Sequence, residues 1–141
     1  MALLAVGSIA FDTIRTPHGR VEKELGGSAT YFALAASYFT EVRVVGVVGE
    51  DFTEAHEAVM KRRAVCTEGI ERAQGKTFHW SGEYGEDLSA AKTNLTELNV
   101  FEDFEPRIPD RYLDSEFLFL GNIDPELQAG VRRRMKNAKL V

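Results

Sequence analysis

The sequence has little of several features that mark common protein classes. Only one of its 141 residues is a cysteine, so no disulfide can form within the chain and a reducing compartment fits. The 17 Lys and Arg residues are outnumbered by 22 Asp and Glu, and a net charge of −5 argues against a nucleic-acid partner, whose phosphates need a basic surface. No apolar run is long enough to span a membrane, and no basic residue precedes the apolar start. We therefore expect a cytoplasmic protein with neither a nucleic-acid nor a membrane partner.

Motifs for phosphate, dinucleotide and metal binding are also missing. Neither the P-loop pattern nor G-x-G-x-x-G occurs, and His56 lacks the second histidine of a zinc-binding helix. His18 is interpreted as a turn residue beside glycine, His56 as a surface residue and Cys66 as an inert, buried thiol. His79 either lines a cleft or is an ordinary exposed strand residue. From the residues alone we assign no catalytic group and no metal site.

Three apolar runs predict the buried strands of an α/β core. Residues 2–9, 42–49 and 116–122 are rich in apolar or β-branched side chains on both faces, as in the central strands of a parallel sheet. Helical patterns follow each of them, and the final residues "AKLV" predict the start of another core strand. The order of strands and helices predicts a doubly wound, mainly parallel sheet that is incomplete within these 141 residues.

Capping residues and apolar spacing locate the helices. Ser28 is predicted as the N-cap of the first helix, and Thr53 as the N-cap of the second. The third helix begins at Asp124-Pro125-Glu126, with a capping side chain, a proline and an early acid. The apolar residues of the first helix at spacings of three and four are Phe32, Ala35, Ala36 and Phe39.

Two polar, alternating segments predict a second, smaller sheet. The first surrounds a turn at Pro17-His18-Gly19, and the second carries Phe78, Trp80 and Tyr84 at alternate positions. Alternation is typical of half-exposed antiparallel strands, which places this sheet outside the parallel core. We expect it to be a protruding lid built from about residues 13–25 and 76–101.

Polar residues at the carboxyl ends of the core strands are the candidate ligand contacts. Asp12 follows the first strand and Asn122 the third, while Gly26-Gly27 leads into the first helix. The glycine pair has three explanations: an anion cradle, close approach by a neutral ligand, or tight packing. The cradle is the weakest of these, because the acids Glu22 and Glu24 precede the pair and repel phosphate.

Four segments, "VGSIAFD", "GGSATYFALAAS", "VRVVGVVGEDF" and "FLFLGNIDPELQ", together resemble the amino-terminal half of a ribokinase-like (PfkB) carbohydrate kinase. The resemblance covers essentially the whole chain and implies a ribokinase-like α/β domain with a β-sheet lid. It also implies that Asp12, Gly26, Gly27 and, by a looser match, Asn122 hold hydroxyl groups of a sugar or nucleoside. Tyr31 stands where relatives usually have asparagine, which leaves the identity of the substrate open.

The same resemblance implies what the chain does not contain. The Gly-Ala-Gly-Asp segment, which in relatives supplies the catalytic base and an anion-stabilising helix start, is absent from the sequence. ATP and Mg²⁺ are expected for the complete enzyme, with little of their site in this chain. We thus predict the substrate-binding half of an ATP-dependent kinase, inactive alone. The alternative is a non-catalytic sugar-binding or regulatory module, and the half-exposed lid predicts a homodimer.

Overall fold

The computed structural model describes all residues from Met1 to Val141, which form two four-stranded sheets and three α-helices. The strands are β1 Ala2–Val6, β2 Ala10–Thr16, β3 Gly19–Gly26, β4 Glu41–Val48, β5 Cys66–Arg72, β6 Phe78–Tyr84, β7 Ala91–Glu97 and β8 Phe117–Leu120. The helices are α1 Ser28–Ala36, α2 Glu54–Lys61 and α3 Pro125–Arg134. Short 3₁₀ helices span Asn99–Phe101 and Asp110–Tyr112. No helix has the length and apolar content needed to cross a membrane.

The core sheet has the order β5-β4-β1-β8, and every neighbouring pair is parallel. Alternate residues of β4 enter two separate apolar clusters: Val44 packs with residues of α1 and α2, and Val45 packs with residues of α3. Helices therefore cover both faces of the sheet, as the near-continuous apolar runs predicted. Leu140 adds one parallel bridge to Phe117, so the predicted strand at the end of the chain is present as a single pair.

The first helix differs from its predicted form at its start. Gly27, not Ser28, is the N-cap, because its backbone is the last with a non-helical conformation, and the Ser28 side chain instead bonds to Ser8 in the loop after β1. The prediction that Ser28 caps the helix is wrong: the serine is already helical, and its hydroxyl joins the helix to the core sheet.

The buried face of α1 is also different from the predicted one. Its buried residues are Ala29, Thr30 and Ala33, whereas Phe39 lies beyond the helix end and is 90% exposed. Small side chains allow the helix to approach the sheet closely, and they take the face that the larger residues were expected to occupy. Phe32 is half-buried and stacks on Phe119 of β8, with ring centroids 3.6 Å apart.

The lid sheet has the order β3-β2-β6-β7, so the prediction of a second sheet is confirmed. Strands β2 and β3 form an antiparallel hairpin, and β6 and β7 form another. The two hairpins are joined by parallel pairing of β2 with β6, where antiparallel strands were expected. The lid begins earlier than predicted, at Ala10, because only residues 7–9 separate it from β1.

Candidate functional site

A cleft of about 310 Å³ lies where the lid meets the carboxyl ends of β1 and β8 and the start of α1. Nine residues line it: Ser8, Ala10, Asp12, Gly27, Ser28, Tyr31, Phe78, Trp80 and Asn122. The structure therefore brings together three of the four sequence-predicted site residues. The fourth, Gly26, is the backbone neighbour of Gly27 and contacts Asp12. Such a junction, at the carboxyl ends of parallel strands, is where α/β proteins bind ligands.

Gly26 makes room for the carboxyl group of Asp12. The two residues lie on paired strands, β3 and β2, and a Cβ atom on Gly26 would stand 2.8 Å from the Asp12 Cγ. Real Cβ atoms do not approach other atoms so closely, so any side chain at position 26 would displace the carboxylate. The absence of a side chain at Gly26 therefore determines the position of the Asp12 carboxylate oxygens.

The backbone conformation at position 27 requires glycine. Its φ of +97° lies in a region that only glycine adopts readily. A Cβ atom there would lie 2.7 Å from the Ser8 carbonyl carbon and 2.9 Å from the Ala10 nitrogen. Tight packing, one of the three explanations left open by the sequence, thus accounts for Gly27, although the residue also lines the cleft.

Hydrogen bonds between two serines and an asparagine form the floor of the cleft. The Ser28 backbone N–H donates to Ser8 Oγ at 3.0 Å, and the Ser8 hydroxyl donates to Asn122 Oδ1 at 3.1 Å. Because the amide oxygen of Asn122 is engaged, its NH₂ group is the part left to donate to a ligand. Sequence reasoning missed Ser8, although its place directly after β1 was the same signal that identified Asp12.

Asp12 is the only charged residue that lines the cleft. Burial raises the pKa of its carboxyl group, and attraction to His79 opposes that rise. Burial also raises the pKa of the Tyr31 hydroxyl, and repulsion from Asp12 and Glu24 adds to it. A cleft with one carboxylate and no cation suits an uncharged, hydroxylated ligand better than a phosphorylated one.

Two of the three lid aromatics contribute to the cleft. Phe78 and Trp80 alternate along β6 and both line it, whereas Tyr84 does not. Phe78 is supported from behind by Phe101, with ring centroids 5.2 Å apart. The sequence left open whether Trp80 packs within the lid or faces a ligand site, and its position in the cleft favours the second interpretation.

Two of the three histidines, His79 and His56, serve the fold. His79 lies outside the cleft and bridges the lid strands, with Nε2 3.0 Å from Thr13 Oγ1 and Nδ1 3.1 Å from Glu97 Oε2. His56 is half-buried against the Phe11 ring and accepts a hydrogen bond from the Thr53 N–H at 2.9 Å. It therefore takes part in capping α2 at the predicted N-cap.

No protein-family model matches the chain, and no curated protein sequence is similar to it. Solved structures are similar in fold. The nucleoside kinase of Methanocaldococcus jannaschii, described as an archaeal member of the ribokinase family, aligns with a TM-score of 0.76 and 16% identity over 99% of this chain. The chain has the ribokinase-like fold. This confirms the fold predicted from the four sequence segments.

Two other proteins with the ribokinase-like fold were solved with ligands. The ribokinase of Cryptococcus neoformans, in complex with ADP, aligns with a TM-score of 0.69 and 16% identity over 95% of this chain. The Burkholderia thailandensis nucleoside kinase, in complex with inosine, aligns with a TM-score of 0.59 and 19% identity over 69% of this chain. The present chain covers 50%, 44% and 35% of these three proteins, so it spans half their length or less.

Proposed function

We propose that this chain is the substrate-binding half of an ATP-dependent kinase that phosphorylates a hydroxyl group of a sugar or nucleoside. The observation that carries the proposal is the convergence of Asp12, Gly27 and Asn122 on one cleft beneath the lid of a ribokinase-like fold. These residues come from β2, the N-cap of α1 and the loop after β8, so their meeting is a property of the fold and not of adjacent sequence.

The polar groups of the cleft are complementary to neighbouring hydroxyls. The ionised Asp12 carboxylate only accepts hydrogen bonds, and the Asn122 NH₂ group only donates them. One hydroxyl of the substrate donates to Asp12 while another accepts from Asn122, which fixes the orientation of a polyol. Precise orientation is the main contribution that a substrate-binding half makes to phosphoryl transfer.

We place most of the ATP and Mg²⁺ site outside this chain. No group of three or more His, Cys, Asp or Glu side chains is arranged to hold a metal ion. The sequence also has no glycine-rich phosphate loop. The proposal therefore assigns nucleotide, metal and catalytic base to parts of the complete enzyme outside these 141 residues.

A non-catalytic sugar-binding or regulatory module is the second candidate. Such a module needs only the ligand cleft and none of the nucleotide, metal or catalytic groups of a kinase. Reading the coding DNA downstream of Val141 distinguishes the two. A continuing frame that encodes Gly-Ala-Gly-Asp supports the kinase, and an immediate stop codon supports the module.

We also propose that the lid mediates a homodimer. Every residue of the edge strand β7 is exposed, and Leu95 of that strand and Val21 of the opposite edge strand β3 are each 44% exposed. Exposed strand edges carry unpaired backbone groups that a second lid can cover. Light scattering of the protein at high concentration should give the mass of a dimer; a monomer throughout would contradict this proposal.

The binding proposal is tested by calorimetric titration of the 141-residue protein with a panel of sugars and nucleosides. Asp12→Asn removes the charge with little change of shape and should weaken binding at least about tenfold, as expected for a hydrogen bond to a charged group. Glu86→Gln, an exposed lid residue outside the cleft, is the matched control and should bind as the unchanged protein does. Equal affinity of the Asp12→Asn variant would refute the assigned role.

A further inference from the structure

The indole ring of Trp80 lies across a glycine of its own strand. Gly82 is two residues further along β6, on the same face, and a Cβ atom there would come within 2.5 Å of Cζ2 of the Trp80 ring. Only a glycine at position 82 leaves room for the Trp80 ring in this position. Gly82 is the one buried residue of β6, where all others are half-buried, because the indole covers it.

A hydrogen bond from the neighbouring strand fixes the same ring. The Trp80 Nε1–H donates to Thr93 Oγ1 of β7 at 3.3 Å. The contact with Gly82 sets the distance of the ring from the strand, and the hydrogen bond to Thr93 sets the orientation of the ring. The indole therefore has a fixed position within the lid before any ligand arrives, which lowers the entropy that its own side chain loses on binding.

This flat surface adjoins the polar end of the cleft. Trp80 is in register with Asp12 on the parallel pair of β6 and β2, so their backbones are one strand spacing, about 4.8 Å, apart. Both side chains line the cleft. On the side of the core domain, Tyr31 of α1 also lines the cleft and is 58% exposed. A ligand that fills this space meets a hydroxyl acceptor at one end and aromatic rings beside it.

We infer that the ligand of this cleft carries a planar aromatic ring next to its hydroxylated ring, as a nucleoside does and a free sugar does not. Trp80 is the stacking surface, and Gly82 and Thr93 are the residues that position it. The inference rests on the proposed function, since it concerns the same cleft, and it selects nucleosides from the two proposed substrate classes. Stacking of a base on an aromatic side chain is worth between about 5- and 150-fold in affinity.

The test uses Trp80 as its own reporter, because it is the only tryptophan in the chain. Inosine and cytidine are titrated into the 141-residue protein while tryptophan fluorescence is recorded. Methyl β-D-ribofuranoside is the matched ligand, since it keeps the ribose hydroxyls and lacks the base. We expect a nucleoside to quench the fluorescence and to bind at least about fivefold more tightly than the riboside.

Three variants, measured by calorimetry, separate stacking from folding. Trp80→Leu keeps an apolar side chain but removes the flat ring, and should lower nucleoside affinity to that of the riboside. Gly82→Ala keeps the tryptophan but pushes its ring aside, and should weaken the nucleoside in the same direction without changing riboside binding. Thr93→Val, which removes the hydrogen bond and retains the shape, should produce a smaller loss. Circular dichroism confirms that each variant is folded.

Each outcome is decisive. Tighter nucleoside binding that is lost in Trp80→Leu supports the inference. Equal affinity for nucleosides and riboside, with both weakened by Asp12→Asn, overturns the inference and leaves the proposed function intact. Tighter nucleoside binding that survives in Trp80→Leu also overturns it, because the base would then be held elsewhere. No binding of any ligand to the folded protein refutes the proposed function and the inference together.

Discussion

Replacing each glycine of the Gly26-Gly27 pair with alanine should separate ligand binding from folding stability. The two variants differ by one position and add the same methyl group. At position 26 the new Cβ meets the end of the Asp12 side chain, and at position 27 it meets the backbone of Ser8 and Ala10. A side-chain carboxylate can rotate away, whereas the backbone that connects β1 to β2 cannot. The same substitution is thus expected to have opposite consequences.

The magnitudes follow from these contacts. For Gly27→Ala, the conformation at φ 97° and ψ 153°, which is essentially restricted to glycine, costs about 1–3 kcal/mol, and the close backbone contacts cost about 1–3 kcal/mol. The reduced entropy of the unfolded chain returns about 0.4–1 kcal/mol, so the free energy of unfolding should fall by about 2–4 kcal/mol. For Gly26→Ala, displacing the Asp12 carboxylate costs about 0.5–1.5 kcal/mol, which the same entropy gain nearly cancels.

Urea denaturation and ligand titration together provide the assay. At an m-value of about 1–3 kcal/mol/M, Gly27→Ala should lower the urea midpoint by about 0.7–4 M, and Gly26→Ala should leave it almost unchanged. Ligand affinity should show the opposite pattern. Gly26→Ala should lose as much affinity as Asp12→Asn does, whereas the folded fraction of Gly27→Ala should keep most of the affinity of the unchanged protein. The reasoning would be refuted if Gly26→Ala bound normally, or if Gly27→Ala were as stable as the unchanged protein.

Two further predictions concern polar groups that are partly or fully buried. The raised pKa of Asp12 means that its ionised form is less favourable in the folded than in the unfolded chain, a penalty that is full above the folded pKa and absent below the ordinary value of 3.8. Asp12→Asn should therefore stabilise the ligand-free protein near neutral pH, and urea midpoints measured down to pH 3 should show the difference disappearing. Tyr112→Phe leaves the buried Gly69 N–H without its acceptor, a hydrogen bond of 3.1 Å, and should lower the free energy of unfolding by about 1–3 kcal/mol. Tyr38→Phe, at a side chain that is 70% exposed, is the control and should change stability by less than about 0.5 kcal/mol.

The core sheet could be predicted from the sequence because burial on both faces leaves a simple signal. The run at Val42–Val48 supplies apolar residues to two clusters at once, and few structures other than a central parallel strand require that. The lid hairpins were predictable for a similar reason, since alternation marks half-exposed strands. The parallel pairing of β2 with β6 was not, because alternation is the same in parallel and antiparallel ladders.

Local pattern failed where several faces of an element were equally apolar. From Ser28 to Phe39 most residues are small or aromatic, so periodicity could not show that Ala29 and Ala33 are buried while Phe39 is exposed. The contact between Ser8 and Asn122 joins positions 114 residues apart, and no spacing rule predicts such a pair. The candidate site was therefore predictable as a set of strand ends, and its hydrogen-bonded floor was not.

The floor of the cleft is packed more tightly than the lid. Cβ atoms on Gly7 and Gly121 would lie 2.6 and 2.5 Å from Ser28 Oγ, so the helix start is packed tightly between the ends of β1 and β8. By contrast, β7 has no buried residue. Segments with few buried contacts open most easily, so the lid is the part of the cleft whose local stability a ligand can change most. Asp12 and Trp80 belong to the lid. Contacts between a ligand and these two residues therefore hold the lid in one position over the floor of the cleft, which is already rigid.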